Sequence, residues 1–216
     1  MISVSSLSEG SSKSIHCKRC EAKLVSHLFC FECSSLQPVS ASSDYFSALG
    51  IPSVYELDQT LLEERFQQIV GELHPDLYLN SSKEDQKLSE RASTMLNQAF
   101  DVLKDPFKRA EYLMRNMGKG LDWNERILPN GFLEEMFSLQ EELDGMLEKQ
   151  DQPGLKRFQD LLDKRRRDLE SGLIPLFKML ENMKELELVL EQLQMKLNAE
   201  RYLQSLLDRI QVEETT

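Results

Sequence analysis

Between residues 59 and 104 the apolar residues recur at helical spacing, halt at a proline, then recur again. This interrupted period constrains the fold more than any other feature of the chain. Leu62, Phe66, Ile69 and Leu73 follow i, i+4, i+7, i+11, the spacing that lines one face of an α-helix. His74, Pro75 and Asp76 come next. Pro75 fixes its own φ and steers His74 away from the helical region, so the helix ends there. Ser81 with Glu84 offers a capping box for the next helix, on which Leu88, Ala92, Met95, Ala99 and Leu103 share a face. A connection this short forces the two helices antiparallel and exposes the loop at one tip.

The flanking punctuation agrees. Asp44 can open a short helix, DYFSALG, that stops at Gly50–Pro52, and Asp58 can cap the helix before His74. Asp105–Pro106 ends the long helix and puts Pro106 at the tolerated first position of a fourth, KDPFKRAEYLMRNMG. With only 9 Gly and 7 Pro in 216 residues, the composition favours an all-α fold of one large or two smaller domains. No apolar run approaches the ~20 residues of a membrane span. The net charge of −11 argues against a general nucleic-acid binder, which needs clustered excess cation.

All four cysteines fall in CKRC (17–20) and CFEC (30–33), a C-x2-C-x9-C-x2-C pattern. Each pair places two thiols on one tight turn, and Cys17, Cys20, Cys30 and Cys33 together make a tetrahedral S4 set suited to a structural Zn²⁺. Iron suits the same ligands, and redox-active pairs are a minor alternative. A segment this small has too little apolar mass for a core, so a metal would have to order it. The polar stretch SSLQPVSASS (34–43) reads as a linker. Gly118 and Gly120, in MGKGLDW, mark a second boundary.

Three helices are expected beyond that boundary, at 131–149, 155–181 and about 184–212, closing as a small antiparallel bundle. On the first, Phe132, Met136, Leu139, Leu143, Met146 and Leu147 form the core stripe. Leu133 and Phe137 lie about 100° to 140° around the wheel from Phe132, beside Glu141 and Asp144. They form either a partner surface or a face covered by another helix. On the last helix Tyr202 points away from the row of Leu203, Leu207 and Ile210. The KRRR run (164–167) reads as a solvated face of an acidic domain rather than a nucleic-acid site.

His74 and Asp76 are too few for a metal site, and no nucleophile accompanies them for catalysis. A donor and an acceptor on a stiff turn suit docking on another protein. DYFSALGI, LLEERFQQIVGELHPD and STMLNQAFDVLKDPFKRAEYLM resemble the J domain of the HscB family of co-chaperones, which serves iron–sulfur cluster assembly. The resemblance continues into GFLEEMFSLQEELD and, more weakly, ERYLQSLLDRI, and the cysteine pairs are similar to those of members with a zinc-binding extension.

The resemblance implies a non-enzymatic adaptor: a zinc-binding segment (1–36), a linker (37–43), a J domain (44–118) and a client-binding three-helix bundle (119–216). His74, Pro75 and Asp76 would engage a DnaK/HscA-class ATPase chaperone and stimulate its ATP hydrolysis. Leu133, Glu134, Phe137, Glu141 and Tyr202 would hold an IscU-type iron–sulfur scaffold protein. Three departures stand out. Glu63, Glu64 and Glu72 outnumber Arg65 where family helices present cations, and Leu77 stands where a lysine commonly follows. Ser138 replaces a usual acid. A zinc-ribbon nucleic-acid-associated adaptor with a helical dimerisation region is the alternative, and a homodimer is a further partner the ribbon admits. The serine-rich N-terminus has no signal-peptide core and carries Glu9, which favours the cytoplasm, with the mitochondrial matrix as alternative.

Overall fold

The computed structural model describes residues 15–39, 44–117, 127–182 and 186–214. They form an all-α chain with a small β element at its start. In order these are β1 (Phe29–Cys30), β2 (Ser35–Leu36), α1 (Tyr45–Leu49) and α2 (Gln59–Leu73). A 3-10 turn (Pro75–Tyr78) leads to α3 (Lys83–Lys104), α4 (Pro106–Asn116) and α5 (Phe132–Glu148). Then come α6 (Gln152–Ser171), α7 (Leu173–Glu181) and α8 (Leu186–Glu214). The chain divides into two compact units, Met1–Asp105 and Pro106–Thr216, which places α4 in the second. Gly118 and Gly120, and residues 40–43 of the expected linker, lie outside the described residues.

In the first unit α2 and α3 are antiparallel. The end of α2 meets the start of α3, where Ser89 Oγ donates to the Leu73 carbonyl at 2.7 Å. At the other end Glu63 lies 4.0 Å from Lys104. Between these points the rings of Phe66 and Phe100 stack with centroids 4.1 Å apart. Leu62, Ile69 and Leu73 are buried as the periodicity predicts, each burial contributing about 1.5–3 kcal/mol. On α3 the buried row is Ser89, Ala92, Leu96, Ala99 and Leu103. Leu88 and Met95 are only half-buried, and Ser89 and Leu96, one position further on, take their places beside the buried Ala92, Ala99 and Leu103.

Asp58 caps α2, accepting from the Thr60 and Leu61 amides, and Asp44 caps α1, accepting from Phe46 and Ser47. The cap of α3 is a correction. Ser82, not Ser81, accepts from the Asp85 amide and donates to the Asp85 carboxylate, while the Ser81 amide is spent on the Tyr78 carbonyl. At the end of α1, Gly50 has φ +66°, and a Cβ there would sit 2.5 Å from the Val25 carbonyl oxygen. Both facts require glycine.

In the second unit α6 runs antiparallel to α5 and to α8. Arg165 pairs with Glu135, Arg166 with Glu200 at 2.9 Å, and Asp144 on α5 with Arg209 on α8. Phe132, Leu139 and Leu143 of α5, Phe158 and Leu162 of α6 and Leu203 of α8 share one core. The helix expected at 155–181 is two helices. It ends at Ser171, the Gly172 amide closes the last turn, and α7 begins at Leu173. Pro175 is the reason: without an N–H it cannot donate to the Ser171 carbonyl, so the ladder breaks. Two cations of the KRRR run are used internally, since Arg166 also lies 5.1 Å from the Phe107 ring centroid. Among the described residues, no helix is long and apolar enough to cross a membrane.

Candidate functional site

The hairpin tip is built from both helices. Pro75 supplies no N–H, and the terminal carbonyl of α2, at Leu73, takes hydrogen bonds from Ser89 (2.7 Å) and Ser93 (2.8 Å) of α3. Two hydroxyls thus fix the point where the chain leaves the helix. His74 has φ −59° and ψ 128°, outside the helical region as Pro75 demands. Its Nδ1 accepts the Asp76 amide at 3.3 Å, which leaves Nε2 as the ring nitrogen available to a partner. The Leu77 amide closes the turn on the His74 carbonyl. Tyr78 folds back, its hydroxyl donating to the Glu72 carbonyl at 2.9 Å, and Gln86 donates from α3 to the carbonyls of Leu79 and Ser81. Burial, then the carboxylates of Glu72 and Asp85, push the Tyr78 phenol above its usual range.

The result is a rigid turn carrying exposed polar groups. The His74 side chain is 59% accessible and that of Asp76 76%. Among the described residues their side chains meet only each other and the Asp76 amide, with Nδ1 3.5 Å from the Asp76 carboxylate. The sequence reading missed Ser89, Ser93, Tyr78 and Gln86. Its one available signal was a small polar residue, Ser89, within reach of an otherwise apolar row.

The four cysteines come together. Their Sγ atoms all lie within 4.8 Å of one another, Cys17 to Cys33 at 3.6 Å and Cys20 to Cys30 at 3.7 Å. A tetrahedron with Zn–S bonds of about 2.3 Å has edges of about 3.8 Å, so the donor set can hold a metal ion. Each pair turns between paired backbone, the bridge of His16 with Lys23 for the first and β1–β2 for the second. The residue after each pair, Glu21 (φ 62°) and Ser34 (φ 50°), is left-handed, so the two turns share one geometry.

Donors surround Cys17: the Arg19 amide at 3.3 Å, Gln37 Nε2 at 3.4 Å and Ser35 Oγ at 3.5 Å. Burial opposes ionisation of Cys17, but the bonds from Ser35 and the backbone of Cys20 and Arg19 outweigh it and lower its pKa to about 5. For Cys20 a backbone bond from Ala22 favours the thiolate, yet burial and the neighbouring sulfurs push it up to about 12. A cation bound among the four sulfurs would favour their thiolate forms.

On α5, Leu133 is 45% and Phe137 65% exposed, and Glu134 and Glu141 are exposed beside them. The chain's own helices therefore leave this row open. Tyr202 corrects the expectation of an outward residue: it is half-buried, packed on the α5–α6–α8 core with its ring edge-on to Phe132 at 5.9 Å.

The fold is similar to two solved structures. The crystal structure of human co-chaperone protein HscB has a TM-score of 0.71 at 22% identity, covering 93% of this chain and 98% of that one. Chaperone HscB from Vibrio cholerae has a TM-score of 0.64 at 24% identity, covering 80% of this chain and 98% of that one. No family model matches the sequence. At these identities the likeness is one of fold.

Proposed function

We propose that this chain is a J-domain co-chaperone and not itself an enzyme: its hairpin tip stimulates a DnaK/HscA-class ATPase while its C-terminal bundle presents an IscU-type iron–sulfur scaffold protein as client. The observation that carries the reading is the exposed His74–Pro75–Asp76 turn, held by hydrogen bonds from both helices yet spending almost none of its polar capacity internally. A fold similar to that of two HscB chaperones supports it. In mechanism, Nε2 of His74 and the Asp76 carboxylate bond to polar groups of the ATPase. Rigidity means little entropy is lost on docking. The open row of Leu133, Glu134, Phe137 and Glu141, with the hydroxyl edge of Tyr202, receives the scaffold. Cys17, Cys20, Cys30 and Cys33 hold a structural Zn²⁺, whose chemistry is to neutralise four thiolates and tie the two turns together. The cytoplasm is the proposed compartment.

The test is single-turnover ATP hydrolysis by the chaperone with this chain, an IscU-type scaffold, or both. The expected result is synergy between the two that disappears with His74→Gln. Full stimulation by that variant would overturn the proposal. The acidic net charge and the internal pairing of Arg165 and Arg166 count against the nucleic-acid alternative.

A further inference from the structure

The tip carries two residues that the polar docking of His74 and Asp76 leaves unexplained. Leu77 is 62% and Leu79 67% exposed, on a turn whose intervening Tyr78 is tied inward to Glu72 and whose following carbonyls are tied to Gln86. Those bonds hold both leucines out in water rather than letting the loop fold over them. The outer row of α2 leads to the same tip. Glu64, Gln68, Gly71 and Glu72 fall within about 100° of the helix circumference, and all are exposed. From Gln59 to Leu79 the only Lys or Arg is Arg65, half-buried with its guanidinium donating to Gln68. Glu63 is also exposed, 4.0 Å from Lys104. The tip thus shows two leucines beside the polar His74 and Asp76, and its α2 flank is acidic.

We infer that the partner ATPase presents an apolar pocket for Leu77 and Leu79 and a basic rim opposite Glu64 and Glu72. The inference rests on the function proposed above and specifies the partner's surface. Charge complementarity selects the occupant: an acidic ATPase surface would be repelled along the whole α2 row, whereas a basic one is steered onto it. The two leucines, buried on docking, act as anchors at the centre.

The experiment titrates the full-length chain against each purified DnaK-class ATPase of its source organism, reading the concentration for half-maximal stimulation at low and high salt. Leu77→Ala/Leu79→Ala should raise that concentration about tenfold at both salts. Glu64→Lys/Glu72→Lys should raise it at low salt, the difference fading at high salt. All four positions are exposed, and circular dichroism checks that the variants fold. Stimulation that improves or stays unchanged in the charge variant, or is unmoved in the leucine variant, overturns the inference. Wild-type stimulation lost in His74→Gln but unmoved in the other two defeats it alone. A wild-type chain that stimulates none of these ATPases defeats the proposed function itself.

Discussion

Ser26, fully buried beside the cysteine turns, donates a 2.6 Å hydrogen bond to the carbonyl of Ala48 near the end of α1. The next amide in the segment, that of His27, donates to the Ser47 carbonyl at 3.0 Å. Helix C-termini leave carbonyls without intrahelical partners; here Ser26 serves that of Ala48, while His27 adds a second bond to that of Ser47, which also accepts the Gly50 amide at 3.3 Å. Ser26→Ala should therefore destabilise the first unit by about 1–3 kcal/mol, measured as a lowered urea midpoint at unchanged slope.

Because the segment caps α1, stripping metal should be felt beyond the cysteines. Chelation, or Cys20→Ser, is expected to raise amide exchange in residues 15–39 and also in α1, read by hydrogen-exchange mass spectrometry. If α1 kept its protection with the segment unfolded, the cap would be dispensable.

The two serines under the tip separate folding from docking. Ser89→Ala/Ser93→Ala leaves the Leu73 carbonyl without its two side-chain donors and should cost about 1–3 kcal/mol. The tip should loosen as well, so ATPase stimulation falls even at temperatures where the variant is fully folded. Equal stimulation by folded variant and wild type would show the turn rigid without them.

The α5 surface and Tyr202 should part company. Leu133→Ala/Phe137→Ala removes exposed side chains and should change stability by no more than about 0.5 kcal/mol while weakening scaffold pull-down at least about tenfold. Tyr202→Ala loses a half-buried ring in edge contact with Phe132 and should cost about 1 kcal/mol or more. Wild-type scaffold binding by the double variant would remove the proposed surface.

Acidification should weaken the first unit through His27. Burial lowers its pKa below the ordinary 6.5, against a raising influence from Asp44. The unfolded state then binds more protons than the folded one in the window below 6.5, so stability falls as pH drops through it. Nuclear magnetic resonance titration should place the imidazole pKa below 6.5, and His27→Asn should flatten stability over that window. An imidazole titrating at 6.5 would abolish the effect, and one titrating above it would reverse the sign.

Local rules made much of this readable in advance. Asp44 and Asp58 cap where a capping residue before an apolar period should, Pro106 opens α4, and the cysteine spacing foretold a single cluster. Errors fell where two neighbouring registers were equally plausible. Ser81 and Ser82 both satisfy capping chemistry, and rows through Leu88 or Ser89 both satisfy helical spacing. Pro175 was the overlooked breaker in the helix expected at 155–181.

The linear chain determined its helices, their stops and the metal-ligand set, because each depends on residues a few positions apart. Only tertiary structure decided that Ser89 and Ser93 lock the tip, that Ser26 caps α1 and that Tyr202 turns partly inward while Phe137 stays out. Those outcomes join residues distant in sequence, such as Ser26 with Ala48 and Phe132 with Tyr202. Hydrogen bonding and packing between such residues depend on where other helices lie, which no local period encodes.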